Sequence, residues 1–132
     1  MVLDQNFFIE TVLPKSIIRT LSQNDLDAYR APFQQRKDRW PTLVFPRQLP
    51  IDGEPADVVA IVEDYADWLS RTTIPKLLIS AEPGALLTGP ALAFCRTWLH
   101  QKEVTVKGIH YIQEDSPEEI GKILKDFVNE IG

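Results

Sequence analysis

An α/β fold with parallel strands is predicted by three observations. The second half of the chain alternates helix, strand, helix, strand, helix, which is a piece of a doubly wound sheet. Residues 74–81 form a nearly continuous apolar run, Ile74-Pro75-Lys76-Leu77-Leu78-Ile79-Ser80-Ala81, the pattern of a parallel strand covered on both faces. A second, β-branched run opens at Val104 with period-two alternation and is broken by Gly108, so that His110 falls on a loop at the carboxyl end of a strand. That is where open α/β sheets place their chemistry, because the scaffold fixes a side chain there and leaves it reachable.

Composition narrows the function classes. At 132 residues with 44% hydrophobic side chains, the chain is the size of one ordinary globular domain. Its net charge of −5 gives no support for a nucleic-acid partner or an anionic membrane partner, both of which want a basic face. The single cysteine, Cys95, cannot form an internal disulfide and suits a reducing cytoplasm, the expected location. No apolar run approaches the roughly 20 residues that span a bilayer, and Met1-Val2-Leu3-Asp4 lacks the basic and apolar regions of a signal peptide.

Taken in order, residues 7–13 place Phe8, Val12 and Leu13 at helical spacing and stop at Pro14, which predicts a short helix. Ser22 is placed to cap a second helix, with Asp25 favouring its positive end and Pro32 closing it. Residues 33–55, with Pro41, Pro46, Pro50 and Pro55, read as an irregular surface excursion with at most a helical turn after Thr42. The clearest helix begins at Glu54-Pro55-Ala56-Asp57 and ends near Ser70. Val58, Ile61, Val62, Tyr65, Trp68 and Leu69 form its apolar stripe. After the first strand, Glu82-Pro83-Gly84 reads as its turn, and a helix is expected over residues 89–99 with Leu92, Phe94, Cys95 and Trp98 on its packing side. The last helix, residues 118–131, should turn Ile120, Ile123, Leu124, Phe127 and Val128 inward. Ser116 is its expected N-cap, Pro117 suits its first position, and Glu119 completes a capping box. Two strands are too few for a sheet with two apolar faces, so a longer parent protein is expected.

Strand, Gly-x-His, acidic loop and capped terminal helix resemble the catalytic-histidine end of an α/β-hydrolase. Gly108-Ile109-His110-Tyr111-Ile112-Gln113-Glu114-Asp115-Ser116-Pro117 resembles the histidine segment of haloalkane dehalogenases and of the related coelenterazine-using luciferases. The resemblance covers essentially the whole chain. Phe8-Ile9-Glu10-Thr11-Val12-Leu13-Pro14, Tyr29-Arg30-Ala31-Pro32-Phe33, Pro41-Thr42-Leu43, Phe45-Pro46-Arg47-Gln48-Leu49-Pro50-Ile51, Gly53-Glu54-Pro55-Ala56 and Pro75-Lys76-Leu77-Leu78 are similar to the cap and C-terminal half of the second dehalogenase subfamily. It implies a partial α/β-hydrolase fold, with a helical cap in residues 1–52 followed by the last two parallel strands and flanking helices in residues 53–132.

The resemblance also implies a chemistry. In the family a carboxylate displaces halide from carbon and forms an ester, and a histidine activates the water that hydrolyses it. His110 matches that base. No nucleophile elbow accompanies it here, nor do the tryptophan and asparagine that hold the departing halide, so the chain alone is expected to be inactive. Glu82 follows the first strand, where many α/β-hydrolases carry the acid that orients the histidine. In the second subfamily that acid lies on an earlier strand, so a solvated turn carboxylate is the preferred reading of Glu82. Phe8, Val12, Ser16, Phe45, Pro46, Leu49, Ala85, Leu86 and Tyr111 match positions lining the family's buried pocket or tunnel; for Val12 and Leu49 ordinary core is an equal alternative. An apolar cavity suits a halogenated hydrocarbon, which offers almost nothing to hydrogen-bond.

Other residues read as structural. Glu114 and Asp115 are expected to be loop-solvating or helix-end charges, Cys95 a buried thiol, and His100 an exposed or helix-terminal side chain. No metal site and no cofactor are expected. Three readings follow: the cap and C-terminal part of a dehalogenase, a fragment of a luciferase relative, or a non-enzymatic association fragment whose apolar faces need a complementing N-terminal half or self-association.

Overall fold

The computed structural model describes residues 1–132. Two compact units are distinguished, one formed by Met1–Lys15 with Thr20–Ala66 and the other by Ser16–Arg19 with Asp67–Gly132.

Apart from an isolated antiparallel bridge between Ile51 and Glu54, the regular elements of the first unit are helical. A π-helical turn at Phe8–Val12 runs into α1 (Leu13–Lys15), and the helical segment ends one residue after Pro14, which has no N–H to donate. Ser22 caps α2 (Gln23–Arg30) as the sequence predicts, its hydroxyl accepting from the Asp25 backbone while the Asp25 carboxylate accepts from the Ser22 N–H. Residues 33–55 depart from the expected irregular excursion. Short 3₁₀ turns at Ala31–Phe33, Arg36–Arg39 and Phe45–Gln48 flank α3 (Trp40–Val44), so helical structure starts well before Thr42. Pro32, Pro41 and Pro46 each fall at the second position of their helix, where they start short helices rather than break them. Arg39 ties the unit together by donating to the carbonyls of Leu3, Asp4, Phe33 and Gln34. Leu3, Ile9, Leu13 and Leu21 are its buried apolar side chains. α4 (Ala56–Arg71) follows, close to its expected bounds.

In the second unit β1 (Lys76–Pro83) and β2 (Gln101–Gly108) pair in parallel, from Lys76 opposite Gln101 to Pro83 opposite Gly108. The first strand is therefore displaced two residues from expectation, and Glu82 and Pro83 are its last paired positions rather than a turn. Pairing continues because β2 runs to Gly108, and a proline is tolerated at a strand end, where one missing donor is affordable. The Ser80 and Thr105 hydroxyls, opposite each other, are 2.8 Å apart, and Ser80 is almost wholly buried.

α5 (Gly89–Cys95) stops four residues short of the predicted end. Trp98 closes a tighter turn back onto the Cys95 carbonyl, and His100 takes a left-handed conformation with φ of 51°, exposed and beyond the helix. Cys95 is half-buried rather than a buried thiol. After β2 come α6 (Ile112–Asp115), absent from the sequence reading, and α7 (Pro117–Ile131). The predicted capping box at Ser116 does not form. Its hydroxyl instead donates to the Lys107 carbonyl at 2.7 Å, which pins the start of α7 to β2.

Burial departs from expectation on the helix faces. Ile61, Tyr65 and Trp68 on α4, Phe94 on α5, and Leu124 and Val128 on α7 are all exposed, and Ile120, Ile123 and Phe127 are half-buried. With two strands the sheet has too little surface to cover these stripes. No helix is long and apolar enough to cross a membrane.

Candidate active site

His110 is positioned by its backbone. Gly108 ends β2 with no room for a side chain, since a Cβ there would lie 2.9 Å from Ile112 Cγ2, so α6 packs directly on the strand end. The chain crosses Ile109, His110 and Tyr111 between strand and helix, and each of these three N–H groups is bonded. His110 and Tyr111 both donate to the Ser16 carbonyl, at 3.1 and 3.2 Å, and Ile109 donates to Asp115 Oδ2 at 3.3 Å. Three consecutive backbone donors are thereby satisfied at a loop that would otherwise be free to move.

The His110 side chain is exposed at one side of a recess of about 300 Å³. Ile79 and Ala81 from β1, Ala85 and Leu86 from the following loop, and Ile109 and Ile112 around the histidine line it, with Gly84 and Leu87. Gly84 has φ of +70°, and a Cβ there would sit 2.8 Å from the Ala81 carbonyl oxygen, so only glycine makes this turn without displacing backbone. The lining is aliphatic except for the imidazole. The Tyr111 ring leans on that of His110, centroids 4.4 Å apart at 46°, and burial pushes the Tyr111 phenol above its ordinary pKa.

Of the residues singled out in the sequence, Ala85, Leu86 and His110 come together in this recess, and Ser16 and Tyr111 join through the backbone bonds described. Phe8, Val12, Phe45, Pro46 and Leu49 belong to the other unit. Phe8 and Val12 are half-buried on its first helical turn, while Phe45 and Leu49 are exposed. Glu82 does not line the recess. Strand alternation sends Ile79 and Ala81 to the recess face and Ser80 and Glu82 to the opposite one, where Glu82 is exposed beside Thr105 and Lys107. No group of three His, Cys, Asp or Glu side chains is placed to hold a metal ion.

Asp115 and Glu114, expected as loop-solvating or helix-N-terminal charges, lie in the first turn of α6 and are both engaged by partners. Asp115 Oδ1 accepts from the backbone of Ile18 at 2.7 Å and of Arg19 at 3.1 Å while its other oxygen holds Ile109, and Glu114 is ion-paired with Arg19. Nothing local in the sequence marked Asp115, because two of its three partners, Ile18 and Arg19, lie about a hundred residues upstream. The Ile79 and Ala81 lining was legible in principle, since both fall on one side of an alternating strand.

A histidine on a loop beyond the carboxyl end of a parallel strand, beside an aliphatic recess and ahead of a terminal helix, defines part of an α/β-hydrolase fold. Comparison narrows the class. The chain is 57% identical to a haloalkane dehalogenase of Sphingobium indicum over 99% of this chain and 45% of that protein. It is 48% identical to the Mycolicibacterium smegmatis haloalkane dehalogenase, over 99% and 43%. The crystal structure of the haloalkane dehalogenase DbeA from Bradyrhizobium elkani superposes with a TM-score of 0.92 at 47% identity, covering 99% of this chain and 46% of that one. No family model matches. Haloalkane dehalogenases at 40–57% identity thus match this chain over essentially its full length, and the chain spans about 45% of the length of the curated relatives it matches. These likenesses lend no support to the luciferase or non-enzymatic readings.

Proposed function

We propose that this chain supplies the general base, His110, and part of the substrate pocket of an enzyme that hydrolyses carbon–halogen bonds. The observation that carries the reading is the His110 recess itself: an imidazole held by its backbone at a strand end, facing an otherwise aliphatic cavity. An aliphatic wall receives a small halogenated hydrocarbon without stranding polar groups, and the imidazole is then the one group in the recess able to take a proton from water. In this reading a carboxylate from outside the chain attacks the halogen-bearing carbon, halide leaves with the bonding pair, and an alkyl ester forms. Water attacks the ester carbonyl as His110 removes its proton; alcohol leaves and the carboxylate is restored.

Following the resemblance, residues 1–52 are assigned to the lid and residues 53–132 to the core of the complete enzyme, with Phe8, Val12, Ser16, Phe45, Pro46, Leu49, Ala85, Leu86 and Tyr111 as its proposed pocket positions. Glu82 serves as a solvated strand-end charge rather than the acid partner of His110. The polypeptide that covers the exposed stripes of α4 and α7 is the remaining part of a dehalogenase chain, since the relatives are more than twice as long as the segment they share with this one.

The test joins this chain to the portion of the Sphingobium indicum relative that it does not match and measures bromide release from a small bromoalkane. Sustained turnover is expected. With His110→Ala the ester forms but is not hydrolysed, so release should stop after about one bromide per site. No release from the joined enzyme, or continued turnover without His110, would overturn the reading.

A further inference from the structure

We infer that Asp115 is a positioning residue for the ester-hydrolysis step, acting through the His110 loop; the inference rests on the reading of His110 as the base. The observation is a single carboxylate that collects three backbone N–H groups from two segments far apart in sequence. Oδ1 takes Ile18 and Arg19, and Oδ2 takes Ile109, the residue next to His110. From the other side, the Ser16 carbonyl takes the N–H groups of His110 and Tyr111. Residues 16–19 and 109–111 are thus bound to each other by five hydrogen bonds, three of which pass through Asp115. Arg19 reinforces the pairing from its own side chain through Glu114.

The geometry requires a carboxylate. Two oxygens with no hydrogens of their own can face donors on both sides at once, and charge-assisted bonds of this kind are stronger than neutral ones. An asparagine at this position has one acceptor. With its oxygen kept on the Ile18 and Arg19 side, where two bonds are at stake, its NH₂ group meets the Ile109 N–H donor to donor. Asp115→Asn therefore releases the histidine loop selectively while leaving the neighbouring segment bonded.

The consequence is specific to one step. Displacement of halide uses the nucleophile and the pocket and needs no proton transfer, whereas hydrolysis of the ester needs the imidazole within hydrogen-bond reach of water. Loosening the His110 loop should slow the second step and spare the first.

Two measurements test this. In the chain itself, amide hydrogen exchange should show the Ile109 N–H losing protection in Asp115→Asn while the β1–β2 ladder amides keep theirs. In the joined enzyme, Asp115→Asn should lower steady bromide turnover by about 10- to 100-fold, the range that misplacing a catalytic group produces, with the rate and amplitude of the first bromide burst unchanged. Asp115→Glu, which keeps both acceptor oxygens, should recover part of the turnover. Equal loss of burst and turnover would make Asp115 merely structural, and unchanged turnover would make it idle; either overturns the proposal. Failure of the joined enzyme with Asp115 intact would instead count against His110 as base, and the exchange measurement would still read the clasp.

Discussion

At the scale of single residues, the site depends on atoms that are missing as much as on those present. Gly108 lets Ile112 approach the end of β2, and an alanine Cβ would meet Ile112 Cγ2, Cβ and Cα at 2.9, 3.2 and 3.3 Å. Gly108→Ala is expected to destabilise the chain by about 1–3 kcal/mol, the usual cost of overpacking, and to shift the backbone that carries His110. Urea denaturation checks the first effect, and the loss of bromide turnover in the joined enzyme checks the second. Trimming Ile112 to alanine in the same chain should recover only part of the stability, because the Ile112 backbone is itself close. Ser22 offers a contrast, its contribution being a bond rather than a space. Ser22→Ala removes the acceptor for the Asp25 N–H and should cost about 1 kcal/mol, with no effect on the His110 recess.

At the scale of elements, the parallel pair is held to α5 by charge as well as by its ladder. Arg96, just past α5, makes a two-pronged contact with Glu103 on β2, at 2.7 to 3.1 Å. These hydrogen bonds hold the Glu103 carboxyl below its ordinary value of 4.5. The folded chain then takes up this proton less readily than the unfolded one. The stabilisation from the pair is fully present above pH 4.5 and fades as the pH falls through the lower folded value. Glu103→Gln should therefore be less stable than the parent at pH 7 and equal to it in strong acid, as denaturation at a series of pH values would show. Both side chains reach solvent, so added salt should shrink the difference.

At the scale of the whole molecule, the apolar stripes define what the chain lacks. Ile61 is 62% exposed and Val128 59%, on helices whose spacing is that of core-facing elements. Such faces associate in water. The purified chain should sediment as more than a monomer at micromolar concentration, and adding the complementary N-terminal portion of a dehalogenase should convert it to a one-to-one complex. A dispersed monomer that ignores that portion would contradict the reading of α4 and α7 as covered surfaces.

The sequence by itself determined the alternation of α4, β1, α5, β2 and α7, the parallel class, the loop position of His110 and the likeness to haloalkane dehalogenases. Those features are written in local periodicity, in breakers such as Gly108 and Pro14, and in a run of motifs read along the chain. It misjudged what local chemistry leaves degenerate. Ser116 had the makings of a helix cap, but its hydroxyl went to the Lys107 carbonyl, which the fold brings within 2.7 Å of it at the end of β2. The length of β1 was decided by its neighbour, which carried pairing through Glu82 and turned that carboxylate away from His110. Asp115 looked like one acidic loop residue among several. Only the fold brought residues 18 and 19 within 3.1 Å of it and made a surface charge into the clasp of the histidine loop, since hydrogen bonds between distant segments depend on where the chain returns.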